Sequence, residues 1–186
     1  FASLLAPMLG IASSALLLLP LHVVLLELII DPTCSIVLER QPAERDIMER
    51  KPRDPNGKLL TGGVLFKSVM QGISIFAASF GTYFAVLYGN AANAPVARTM
   101  GLGIIMVANL FLVQVNSSNR DFAIQSFFRL IKDKVMWTVN IGTLGGLLLI
   151  LYTPLCTFLK LAPLSAPQLF TVFGIAGLSV LWYELV

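Results

Sequence analysis

The sequence predicts an all-α, polytopic transmembrane bundle with five full spanning helices and the end of a truncated one. Composition carries the first part of this. Of 186 residues, 56% are hydrophobic and 12% are charged, and the mean hydropathy is +0.82. A soluble domain carries about 25% charged residues. Segregation carries the rest: residues 1–26, 68–97, 99–119, 135–159 and 161–183 hold no Asp, Glu, Lys or Arg. Each run exceeds the ~20 residues that cross a bilayer core. A soluble enzyme, a nucleic-acid-binding domain and a disulfide-stapled secreted domain are excluded. The partner these runs imply is the lipid bilayer. Net charge is only +3, and the basic residues sit between the apolar runs, where membrane topology explains them.

The first run needs dividing, because 1–30 is too long for one untilted span. Gly10, Ser13 and Ser14 offer a breaking point. Residues 1–9 read as the remnant of a truncated helix, followed by an outside turn near 10–15 and a helix over about 16–38. The units expected are thus 1–9, a helical unit 10–39, a loop 40–63 and a four-helix membrane region 64–186, with spans near 64–89, 97–117, 134–153 and 166–186. Residue 1 is Phe, which fits a piece of a longer polypeptide. The pairs Gly142/Gly145 and Gly174/Gly177 place small residues at helical neighbour spacing, which allows close helix approach.

Charge asymmetry orients the chain. Segment 39–67 carries Arg40, Arg45, Arg50, Lys51, Arg53, Lys58 and Lys67, and segment 118–134 carries Arg120, Arg129, Lys132 and Lys134. The stretches 89–98 and 153–165 carry one base each, Arg98 and Lys160. The positive-inside rule places loops 40–63 and 118–133 in the cytoplasm. Five successive crossings agree with that placement.

One sequence interrupts the apolar pattern: Glu27-Leu28-Ile29-Ile30-Asp31-Pro32. Carboxylates four residues apart share one face of a helix. A charge at membrane depth costs at least ~2.5 kcal/mol, so such residues face a partner or a watery cavity. Two like charges together need a cation or a shared proton. Pro32 offers no N–H to the Leu28 carbonyl and crowds it, so a kink or unwound turn is expected there. Carboxylate and carbonyl oxygens together are ligands for a hard cation, and broken helices host ions in transporters. A structural pair, one carboxyl protonated and the other salt-bridged, is the alternative.

Other polar residues in the spans carry less. Asn109, the deepest, could add an oxygen; Gln114 lies on the same helix. Gln71 and Asn140 read better as interhelical hydrogen-bonding groups. His22, more than a turn before Glu27, reads as a packing or interfacial residue before a proton relay. Thr33 and Ser35 can bond a loosened backbone. Cys34 and Cys156 read as small buried thiols.

Downstream of the carboxylates stands Asp46-Ile47-Met48-Glu49-Arg50-Lys51-Pro52-Arg53. With Leu21 to Pro32, this motif resembles the C-terminal membrane region of bacterial P-type cation-transporting ATPases of the calcium-pump-like branch. There, a sixth-helix Asp followed by Gly or Pro precedes a loop with Asp-Ile-Met-x-Arg-x-Pro-Arg. The resemblance covers the whole chain, from the end of helix five to helix ten. It implies that Asp31 is the central cation-ligating Asp, with Glu27 and Asn109 beside it; the Leu28 carbonyl freed by Pro32 is a further candidate ligand. Glu27 stands where calcium pumps have Asn, Ile30 where they have Thr, and Asn109 near a Glu of helix eight. The acid expected on helix five falls close to Ala2. These departures leave calcium, another divalent cation and protons open as cargo. The resemblance also implies that Asp46, Met48, Arg50 and Arg53 help couple the loop to a phosphorylation domain, with Mg-ATP serving the intact pump. The chain holds no Asp-Lys-Thr-Gly-Thr and no Gly-rich nucleotide loop, so alone it should hydrolyse no ATP and needs no cofactor. Its further partner is the remainder of the same polypeptide, in a bacterial plasma membrane. A channel or secondary transporter without ATP, and a membrane anchor with structural carboxylates, are the competing readings.

Overall fold

The computed structural model describes Met8, residues 16–39, Met48, and residues 62–88, 90–116 and 134–182. Among these residues all regular structure is helical. The helices are α1 (Pro20–Glu39), α2 (Gly62–Leu87), α3 (Ala94–Asn116), α4 (Lys134–Tyr152), the short α5 (Leu155–Phe158) and α6 (Ala166–Leu181), with a 3₁₀ turn at Ala91–Asn93 before α3. The first three are long and apolar enough to cross a membrane. The apolar part of α4 and all of α6 are shorter. The expected remnant 1–9 and turn 10–15 lie, apart from Met8, outside the described residues.

Helix starts follow local chemistry. Proline fits the first turn, where its missing N–H would have no partner. That is why α1 opens at Pro20 rather than at residue 16, and why Pro95 is tolerated at the start of α3. At α6 the Ser165 N–H donates to the Gln168 side chain at 2.8 Å, half of a capping box.

Pro32 does not unwind α1, which runs unbroken from Pro20 to Glu39. In lipid, an opened turn would strand several carbonyls with no water to bond them. Continuing the helix forfeits one hydrogen bond instead. The Thr33 hydroxyl also donates to the Ile29 carbonyl at 2.6 Å.

The core is built around α3. It packs most extensively against α2 and α6, and less against α1 and α4. Leu102, Ile104, Met106, Val107 and Ala108 are buried there, against Val172, Ala176 and Val180 of α6 and Leu147, Ile150 and Leu151 of α4. Close approach occurs at glycines other than those at the expected spacing. A Cβ on Gly101 would collide with Leu17 Cδ1, and one on Gly103 would lie 3.2 Å from Val172. Gly142, Gly145 and Gly174 have open space where a Cβ would stand, and Gly177 only an ordinary contact with Phe111.

Candidate functional site

Glu27 and Asp31 are the eighth and twelfth of the 20 residues of α1, at mid-span. At about 100° per residue they lie some 40° apart. The face of α1 turned into the bundle carries His22, Leu26 and Val37, with Ile29, Ile30 and Thr33 partly buried beside them. Both carboxylates lie on the opposite face and are exposed. Leu28 is exposed there too. Among the described residues neither carboxylate has a hydrogen bond or salt bridge.

Asn109 stands elsewhere. Its Nδ2 donates to the Ile105 carbonyl at 2.8 Å. It lines a small cavity with Ile29, Ile30, Thr33 and Cys34 of α1 and Thr143 of α4. The helices therefore bring Asn109 to the packed side of α1, away from the carboxylate face. The Thr33 and Thr143 hydroxyls lie 3.5 Å apart beside it. Of the expected coupling residues, Met48 is described and highly exposed. Asp46, Arg50 and Arg53 lie outside the described residues.

The remaining polar residues divide clearly. Gln114 Nε2 donates to Asn140 Oδ1 at 3.2 Å, joining α3 to α4 as an interhelical pair. Gln71 is buried, but its Nε2 finds no partner among the described residues. Cys34 and Cys156 are free thiols, and burial pushes the Cys156 thiol up.

Arg98 was legible only as a topology marker, yet it is almost wholly buried, as is His22. Its Nε donates to the Leu16 carbonyl and its Nη1 to the Lys160 carbonyl, both at 2.8 Å. A lone base at the threshold of an apolar run is the signal that could have found it, because such a charge needs oxygens close by. A tight turn supplies them. After α5, the Lys160 N–H bonds the Thr157 carbonyl and the Leu161 N–H bonds the Cys156 carbonyl, a Schellman arrangement with Lys160 left-handed at φ 52°. The stretches 89–98 and 153–165, both assigned outside by charge, meet the start of α1 at this end of the bundle.

The sequence model of the family "Cation transporting ATPase, C-terminus" matches residues 15–186. The chain belongs to the C-terminal membrane region of the cation-transporting ATPases. Similar curated proteins of this family include the "Probable cation-transporting ATPase F" of Mycobacterium bovis and that of two Mycobacterium tuberculosis strains. Each is 31% identical over 97 residues, which is 52% of this chain and 11% of the relative. The chain thus matches a small part of the length of these relatives. Membership and the apolar helices together make it an integral membrane domain of a cation ATPase, as the motif around Asp46 led one to expect.

Proposed function

We propose that the chain is the ion-translocating membrane part of an ATP-driven cation pump, in which Glu27 and Asp31 bind the cation in transit. One observation carries this reading. Two carboxylates one turn apart stand at mid-span, on a face that no described residue covers or neutralises. Leaving such a pair in lipid is costly, so something positive and hydrated must reach it. Earlier membrane helices of the same polypeptide cover that face in the intact pump. The Leu28 carbonyl, deprived of its helical donor by Pro32, adds a neutral oxygen beside the carboxylates. Asn109 starts on the packed side of α1, apart from this pair.

ATP chemistry belongs to a cytoplasmic headpiece, where Mg-ATP phosphorylates an aspartate. The loop 40–63, with Asp46, Met48, Arg50 and Arg53, transmits that event to α1. Calcium, another divalent cation or a proton is the cargo, taken up from the cytoplasmic side of a bacterial plasma membrane. Family membership favours this pump over an ATP-independent channel or secondary transporter. Mid-span carboxylates favour transport over a plain anchor.

Glu27→Gln and Asp31→Asn in the full-length protein test the site. Cation-stimulated phosphorylation and uptake are measured against calcium, magnesium, manganese and pH. Removing a charged ligand forfeits ~1.5–3 kcal/mol, so each variant should need about tenfold more cation or more. Unchanged cation dependence in both variants rejects the site.

A further inference from the structure

Among the described residues, the polar contacts that hold α1 to the other helices and turns are concentrated at its Pro20 end. Arg98 reaches from α3 to the Leu16 carbonyl and to the Lys160 carbonyl. The His22 Nε2 lies 2.7 Å from the Leu159 carbonyl. A carbonyl only accepts, so Nε2 carries the proton and donates. That leaves Nδ1 as an acceptor, and the Leu19 N–H points to it at 3.3 Å. One imidazole therefore bonds its own helix start with one nitrogen and the opposing turn with the other. Thr99 fixes the opposing turn to α3: its hydroxyl accepts the Ala162 N–H at 2.9 Å and donates to the Pro95 carbonyl at 2.8 Å. Farther along α1, the described side-chain contact with another helix is the long Thr33–Thr143 approach of 3.5 Å; the rest is apolar packing.

We infer that the His22–Leu159 and Arg98–Leu16 contacts form a clasp that pins this end of α1, making His22 a positioning residue for Glu27 and Asp31. The functional consequence rests on the cation reading above; the mechanical one does not. A helix held at one end and packed by side chains alone along its length tilts about the held end. With a rise of ~1.5 Å per residue, Glu27 lies ~7.5 Å and Asp31 ~13.5 Å beyond His22. A tilt about the clasp moves Asp31 nearly twice as far as Glu27. It therefore changes the spacing of the pair relative to any fixed ligand across from it. Rotation about the helix axis is resisted at the same point, because His22 must keep facing the Leu159 carbonyl.

The test uses spin-label distance measurements on the intact transporter in lipid nanodiscs, with the native cysteines replaced. One label pair spans the clasped end (Val23 with Leu155), and the other spans the far end (Leu38 with Thr138). Without added cation, the clasped-end distribution should be narrow and the far-end distribution broader. His22→Asn retains the acceptor toward Leu19 but is too short to reach Leu159, whereas His22→Gln can reach Leu159. The clasped-end distribution should broaden about twofold in His22→Asn and Arg98→Met and stay narrow in His22→Gln, as expected when local opening follows loss of a buried tie. Broadening in all three also supports the clasp, with both imidazole nitrogens required. Where Arg98→Met gives no folded protein, Arg98→Lys, which can reach only one of the two carbonyls, is read the same way. An unchanged clasped end in both His22→Asn and the Arg98 variant overturns the inference. So does broadening in His22→Gln alone, which would reduce His22 to a cap on its own helix.

The positioning role has its own readout. With calcium, magnesium, manganese and protons each used as probe, His22→Asn should raise the half-saturating cation concentration about threefold and change the maximal phosphorylation rate less. A broadened clasped end with unmoved half-saturation denies the positioning role. Glu27→Gln and Asp31→Asn should leave the clasped-end distribution unchanged. Failure of the cation site and failure of the clasp are therefore seen in different measurements.

Discussion

Helices α1 and α3 are both apolar and of spanning length, yet they occupy opposite situations. In α3, 67% of the apolar stretch is buried inside the chain, against 17% in α1. Fifteen residues of α3 are buried and form the centre of the bundle, whereas α1 buries His22, Leu26 and Val37. Apolarity finds a membrane span because lipid and protein core are alike in polarity, and for the same reason it does not say which of the two a face meets. Carboxylates make the distinction. They stand on the face of α1 that the described residues leave uncovered, and α3, with all sides engaged, has no acid at all.

That contrast can be sharpened by truncation. Ile104, fully buried on α3, should lose ~2–3 kcal/mol of stability on substitution by Ala, since the cavity is lined on every side. Leu28, on the carboxylate face, touches little of the described chain. If earlier helices of the same polypeptide pack there, Leu28→Ala in the intact pump should still cost about 1 kcal/mol, the packing of one partly lined site. Thermal unfolding in detergent measures both. A loss near zero for Leu28→Ala means that the face meets lipid and contradicts the cover proposed for it.

An effect smaller than that at Ile104 is expected where α3 meets the chain leading into α1. Gly101 has no room for a Cβ without displacing Leu17, and Leu17 is wedged with Tyr83 and Ala97. The Gly101 carbonyl also accepts the Ser79 hydroxyl at 2.9 Å. Gly101→Ala should cost ~1–2 kcal/mol through overpacking, and the same unfolding measurement checks it. An unchanged midpoint would show that Leu17 swings clear, and that the start of α1 is held by polar contacts alone.

Much of this was legible in the sequence because charge is scarce in membranes. Five charge-free runs located the helices, and Glu27 and Asp31 announced themselves by interrupting one. Their spacing of four placed them on one face without any structure. The loop from Asp46 to Arg53 pointed to the family. What was not legible depends on partners. Asn109 is polar and central, but only packing shows that it faces the other side of α1. Pro32 predicts a kink or an unwound turn from local sterics; the turn stays wound, since lipid penalises every freed carbonyl. Arg98 looked like one more loop charge, because the carbonyls that solvate it come from residues 82 and 62 positions away. Gln71 was expected to bond a neighbouring helix, and burial alone could not reveal that its amide nitrogen finds no partner among the described residues.

The central claim is that the uncovered carboxylates exchange protons or cations from within the membrane. A hydrophobic carbodiimide, which modifies carboxyl groups in apolar surroundings, tests it directly when the labelled sites are mapped by mass spectrometry on the intact protein. Glu27, Asp31 or both should be modified in cation-free buffer and protected by calcium, by another divalent cation, or by the change in pH expected of a proton carrier. Labelling that none of these alters, or the absence of any label at either residue under every condition, would contradict the account.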